Sequence, residues 1–129
     1  MDFGLDFDGS CVTNDYPKIG QDIGAVPVLK KLIENNHRLI LFTIRSNFNG
    51  KTDLDAAVEW FKNNDIPLYG INENPTQANW NSSPKIFADF YIDDLAVGCP
   101  LKLDRKLSLN PFIDWKIMEQ WLINAQLIK

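Results

Sequence analysis

The stretch His37-Arg38-Leu39-Ile40-Leu41-Phe42-Thr43 decides the fold. Four successive apolar residues between polar ones read as a strand buried on both faces, which is the pattern of a central strand in a parallel sheet. On its N-terminal side a helical pattern begins at Ala25, with Val26, Leu29 and Ile33 on one face and Val28 and Leu32 beside them. Pro27 is compatible with that helix because it falls in the first turn, and Asn35-Asn36 ends it. On the C-terminal side a second helix begins near Thr52, with Asp55 three residues on as a weak capping box. Leu54, Ala57, Val58 and Phe61 follow at helical spacing, and Asn63-Asn64 closes the run.

Further out, Phe3 and Leu5 to Phe7 read as a buried strand ending at Asp8-Gly9-Ser10. Leu68 to Ile71 reads as a third strand, and Phe87 to Ile92 as a fourth that stops at Asp93-Asp94. Residues 11–24 read as turns and loop, and Asn72 to Ser83, rich in Asn and Ser around Pro75, as an excursion loop. Within the less patterned stretch from Leu95 to Asn110, Leu101 to Leu103 suggests another strand; Met118, Trp121, Leu122 and Ala125 mark a closing helix. Strand and helix in alternation predict an α/β fold: a three-layer, Rossmann-like parallel sheet with right-handed crossovers and helices on both faces.

The 129 residues fit one domain, 1–129, without repeat, low-complexity tract or linker. With 45% apolar and 23% charged residues the composition is that of a globular protein, which excludes disorder, collagen and coiled coil as descriptions. No apolar run approaches a membrane span, and the N-terminus lacks the basic segment and apolar stretch of a secretory signal. A soluble, cytoplasmic protein is expected. Ten lysines and three arginines are scattered against 17 acids, for a net charge of -4. Without a basic stripe, long nucleic acid is a poor partner, while a small phosphorylated molecule fits. Cys11 and Cys99 are far apart and His37 is the single histidine, so no Cys/His zinc site can be assembled.

Of the 17 acids 13 are Asp, and their positions carry the information. In open parallel sheets the ligand sits at the carboxyl ends of the strands. Asp6 and Asp8 stand at the end of the first strand, Thr43 at the end of the second and Asp93-Asp94 at the end of the fourth. Residues i and i+2 of a strand share a face, so Asp6 and Asp8 could point into one site. Four carboxylates in one crevice repel, and some must bind protons unless cations are supplied. A divalent metal and one lysine, with Lys85 as the candidate, would set three positive charges against four negative. All-oxygen ligation favours Mg²⁺ over zinc or copper.

Leu5-Asp6-Phe7-Asp8-Gly9-Ser10, Leu41-Phe42-Thr43, Lys85 and Ile92-Asp93-Asp94 resemble, in order, the four motifs of the haloacid dehalogenase superfamily, over the chain from Asp2 to about Gly98. The likeness is greatest to its small, capless members from bacteria and phage. The resemblance implies a phosphatase with Asp6 as nucleophile and Asp8 as general acid and base. It implies Mg²⁺ held by the Asp6 carboxylate, the Asp8 carbonyl and an acid of the Asp93-Asp94 pair. Thr43 would bond a phosphoryl oxygen, Lys85 would neutralise charge on Asp6 and the phosphoryl group, and the Gly9-Ser10 turn would let backbone amides approach. Arg45 is a further candidate for the phosphate or the leaving group. Neither the Asp8–Thr43 nor the Thr43–Lys85 interval can hold a cap domain, so the site is expected to be open unless a second subunit of a homo-oligomer, or the 72–83 loop, covers it.

Competing readings fare less well. An EF-hand fails because Cys11 and Pro17 occupy its glycine and bidentate-acid positions. A response-regulator receiver places its acid pair first, whereas here that pair comes last. A catalytically silent binding or regulatory domain of the same fold remains the alternative, but such a relative would be expected to lose a motif residue, and all are present. Trp80 reads as a loop residue rather than a stacking platform, Trp60, Trp115 and Trp121 as helix-face packing, Asp89 as a strand-entry residue, His37 as a helix C-terminal residue, and the cysteines as reduced structural thiols.

Overall fold

The computed structural model describes residues 1–129 throughout. The chain runs β1 (Asp2–Leu5), α1 (Ala25–Glu34), β2 (Arg38–Leu41), α2 (Asp53–Asn63), β3 (Gly70–Ile71), β4 (Phe90–Ile92), β5 (Leu101–Lys102), β6 (Phe112–Ile113) and α3 (Trp115–Asn124). Four strands form a parallel sheet in the order β3-β2-β1-β4, with Leu5 level with Leu41 and Ile92. The fold is thus mixed α/β with a parallel sheet flanked by helices. No helix is long and apolar enough to cross a membrane.

Strand alternation sorts the sheet into two unlike faces. Phe3, Leu5, Leu39, Leu41 and Ile92 point to one side and join a continuous core with Leu29 and Leu32 of α1, Ala57 and Phe61 of α2, and Trp115 and Leu122 of α3. Stepping from β1 to β2 to β3 in one direction with right-handed crossovers puts α1 and α2 on the same face. α3 packs beside α1, where Lys31 Nζ meets Glu119 Oε2 at 3.1 Å.

The expected helical layer on the second face is missing. The return from β3 to β4 must pass over that face, and it does so as the 72–89 excursion, which contains only a short 3₁₀ turn, Gln77–Asn79. Buried amides do the work an apolar helix face would do elsewhere. Gln77 donates to the Lys85 carbonyl at 2.7 Å and accepts the Phe87 N–H at 2.9 Å, and Asn74 donates to the Phe87 carbonyl at 3.2 Å. Beneath them Asp2, 5% exposed, takes a bidentate pair from Arg38 at 2.7 and 3.1 Å.

Other expectations need smaller corrections. Strands β1, β3 and β4 are shorter than their apolar runs, and β1 stops at Leu5, so Asp6 and Asp8 lie in the turn beyond it. The Thr52–Asp55 capping box does not form, because Asp55 bonds Asn47 instead, at 2.8 Å to its side-chain nitrogen. Leu101 does lie in a strand, paired antiparallel with Phe112–Ile113, which the sequence reading left unassigned. His37 lies three residues past α1 and joins the two chain ends, its Nδ1 3.1 Å from the Met1 ammonium and its Nε2 2.7 Å from the Leu127 carbonyl. The cysteines are free thiols, and burial pushes Cys11 well up from its ordinary pKa.

Candidate functional site

The carboxyl ends of β1 and β4 bring three carboxylates together. Asp6, Asp93 and Asp94 each place an oxygen within 4.8 Å of the others. Ser10, fully buried, is the hinge of the cluster. Its hydroxyl accepts the Asp94 N–H at 3.0 Å and faces Asp6 Oδ2 at 2.9 Å and Asp94 Oδ1 at 3.2 Å. One hydroxyl hydrogen serves one acceptor at a time, and the shorter distance assigns it to Asp6. Trp115 holds this turn from below, its indole N–H donating to the Ser10 carbonyl at 2.7 Å.

Gly9 makes room for the cluster. Its φ is +83°, and a Cβ there would lie 2.2 Å from Asp94 Oδ2. Gly9→Ala is therefore expected to displace Asp94, lower stability by about 1–3 kcal/mol and weaken metal binding. Thermal melts with and without Mg²⁺ read both effects; an unchanged metal response would show that the cluster tolerates the displacement.

Burial is the largest influence on Asp6, followed by its contact with Asp94, and together they push its carboxyl up to about 8. Asp94 is also raised, again chiefly by burial. For a carboxyl raised on folding, the native state binds a proton that the unfolded chain releases near pH 4, so stability falls as pH rises from about 4 to about 8. Metal-free protein should accordingly lose on the order of 5–10 °C of melting temperature across that window. Mg²⁺ should restore most of it at pH 8 and little at pH 5. Melting temperatures that stay flat with pH in chelator would contradict the strain in the cluster.

Asp8 does not join the three acids. Its carboxylate is clamped by Arg45, Nε to Oδ2 at 2.7 Å and a terminal nitrogen to Oδ1 at 2.8 Å. Arg45 is 1% exposed, and its remaining donors reach the carbonyls of Pro17, Lys18 and Asp53 at 3.0, 2.8 and 3.1 Å. All five N–H groups are thereby occupied, and the guanidinium also lies 5.1 Å from the Phe7 ring centroid. The expectation that Arg45 contacts a phosphate is corrected: it holds Asp8 and ties down the 17–18 loop and the start of α2.

Two further expectations change. The Gly9 and Ser10 amides donate within the turn, to Val12 and Phe7 carbonyls at 2.8 and 3.1 Å, so they are not the anion-binding groups, and the Ser10 side chain belongs to the acid cluster. The amides that do have no acceptor are those of Phe7, Asp8 and Ile44, directly after β1 and β2; the Asp8 carbonyl likewise accepts nothing. Thr43 stands beside them. Its N–H donates to Asn72 Oδ1 at 2.8 Å and its hydroxyl accepts the Arg45 N–H at 3.1 Å, which leaves the O–H free to donate. Lys85 is exposed and forms no ion pair with the acids; its ammonium stands 5.3 Å from the Tyr91 ring centroid. Ser10, expected to act through its amide, acts through its hydroxyl instead; Asn72 and the unpaired amides of Phe7, Asp8 and Ile44 were missed because nothing in residue type or spacing distinguishes them from ordinary turn residues.

No family model matches the chain, and no curated protein matches it. Among solved structures, a conserved protein from Bacteroides thetaiotaomicron is similar to it at 33% identity and a TM-score of 0.75, covering 98% of this chain and 91% of that one. The chain belongs to the family of that Bacteroides protein. At this identity and coverage the likeness extends over every element described above, β5, β6 and α3 included.

Proposed function

We propose that the chain is a Mg²⁺-dependent phosphomonoester hydrolase of the haloacid dehalogenase type, with Asp6 as nucleophile. The observation that carries this reading is the Asp6–Asp93–Asp94 cluster at the carboxyl edge of the sheet, where burial and the contact with Asp94 raise the Asp6 carboxyl in the absence of a cation. The donor set suits Mg²⁺: three carboxylates with oxygens within 4.8 Å, the unpaired Asp8 carbonyl and no nitrogen or sulfur donor. When bound there, Mg²⁺ would hold Asp6 ionised and offset the charge of the phosphoryl oxygens.

The chain's own groups divide the rest of the work. Asp6 attacks phosphorus as the ester P–O bond breaks, giving an aspartyl-phosphate. Asp8 must first turn one oxygen out of the Arg45 fork and take a proton; it then gives that proton to the departing alkoxide and takes one from the water that hydrolyses the intermediate to orthophosphate. The free amides of Phe7, Asp8 and Ile44 and the Thr43 hydroxyl are donors for the phosphoryl oxygens. Arg45 acts as a positioning residue, fixing the carboxylate of Asp8 without touching substrate. Lys85, on a flexible four-carbon stem, supplies a cation to the anionic substrate.

Hydrolysis of para-nitrophenyl phosphate tests the reading: activity with Mg²⁺, none in excess chelator, recovery when Mg²⁺ is restored. Full activity in chelator would refute it. Asp8→Asn should lower turnover of an alkyl phosphate by ~10²–10⁴-fold. An aryl ester, whose leaving group needs no proton, should lose less; equal losses on the two would remove the acid role from Asp8.

A further inference from the structure

Beside the acid cluster the second sheet face is paved with rings. Gly4 has no side chain, and Tyr91 lies across it, so close that a Cβ would stand 2.9 Å from the ring. Phe42 follows at a centroid distance of 6.2 Å. Next to Tyr91 opens a cleft of about 330 Å³ whose walls include Trp80, Phe87, Lys85 and Gln77. Trp80 and Phe87 meet edge to face at 5.5 Å. The four rings are 39–56% exposed and adjoin one another, an apolar surface of the kind that takes a ligand.

Three features say what. The cleft walls hold a lysine and no acid, so a ligand seated there can carry its anionic end beside the cleft without repulsion. The Gln77 amide is engaged with Lys85 and Phe87 and the Tyr91 hydroxyl with Ile86 and Ala88, while the Trp80 indole N–H, the Asn81 amide nitrogen and the Ser83 hydroxyl hydrogen remain free to donate. A planar ring with acceptors along its edge finds both π faces and donors there. Finally, Tyr91 is level with Gly4 and shares the face of Asp6 and Asp93, each two residues further along. Two strand residues span about 6.6 Å of backbone, so Tyr91, the near wall of the cleft, stands within a nucleotide's length of the acid cluster.

We propose that this ring-lined cleft receives the base of a nucleoside monophosphate whose phosphate lies at Asp6, with Lys85 between the two. This rests on the phosphatase reading for the phosphate end and adds the substrate class. Trp80, in this account, is a specificity residue of the 72–89 excursion.

Calorimetry on the Asp6→Asn protein in Mg²⁺, with adenosine 5′-monophosphate and ribose 5-phosphate as probes, tests it without needing turnover. The nucleotide should bind at least about 5-fold tighter than the sugar phosphate, and Trp80→Ala should bring that ratio toward one, a loss of about 5- to 100-fold. Trp80→Phe should keep most of the preference, which a folding defect would not explain. Equal affinities for the two probes, or a preference that survives Trp80→Ala, would overturn the proposal. So would a dimer of the parent protein broken by Trp80→Ala without change in nucleotide affinity, since the rings would then cover a second copy. The two readings fail separately. Trp80-dependent nucleotide binding in a wild-type protein that hydrolyses no phosphate ester would retain the cleft and discard the phosphatase. Hydrolysis of both esters with equal kcat/KM would do the reverse.

Discussion

Replacing Asp6 by Asn is expected to lower phosphatase turnover by about 10⁴-fold or more while leaving the protein folded. An amide oxygen cannot serve as the nucleophile, yet it can still accept the Ser10 hydroxyl that now reaches Asp6 Oδ2 at 2.9 Å. The substitution also removes the carboxyl that burial raises to about 8. The metal-free variant should therefore be more stable than wild type at pH 8, and its melting temperature should change less between pH 5 and pH 8. The two readouts support one another: lost turnover with gained metal-free stability is the signature of a charged site maintained for chemistry. A variant that keeps substantial Mg²⁺-dependent turnover would remove Asp6 from the nucleophile's role, whatever its stability.

At Arg45 the expected effect is on stability first. The guanidinium is 1% exposed and holds a carboxylate and three backbone carbonyls from separate segments. Arg45→Met keeps much of the volume but leaves Asp8 as a partly buried charge without its partner, a situation that costs about 3–5 kcal/mol. The melting temperature should fall on the order of 10–20 °C. Arg45→Lys should recover only part of this, because an ammonium offers three donors where five are used and lacks the planar fork that matches a carboxylate. The diagnostic variant is the double substitution Arg45→Met with Asp8→Asn. If the single loss comes mainly from the stranded charge, the double variant should be more stable than Arg45→Met alone. A double variant that is less stable would assign the loss to the loop contacts with Pro17 and Lys18 instead.

What could be read from the sequence follows a physical division. Where side chains of one kind repeat at the period of an element, the element was found. Leu39-Ile40-Leu41 is a buried central strand and α1 runs from Ala25 to Glu34, both where the pattern put them. The placement of Asp6, Thr43 and Asp93-Asp94 at strand ends also holds, because apolar runs end where burial ends. The missing layer could not be read that way. A crossover made of buried amides, such as Asn74 and Gln77, has the composition of a solvated loop and differs only in what those amides touch. Arg45 escaped for a related reason: residue type favours exposure, and only three-dimensional convergence of Asp8, Pro17, Lys18 and Asp53 makes burial favourable. Asp8 was assigned to the acid cluster by strand alternation, which ceased to apply when β1 stopped at Leu5.

The position of β1 between β2 and β4 also bears on synthesis. Its pairing with β2 joins Leu5 to Leu41, but its other edge waits for Ile92. At about 5–20 residues per second, a ribosome takes several seconds to make the intervening segment. During that time an inner strand of the finished sheet is an open edge of apolar residues, and Asp6 has neither Asp93 nor Asp94 beside it. The acid cluster thus comes into being only with the last strand to join the sheet, so the proposed metal site would exist in a nascent chain only once the sheet has closed.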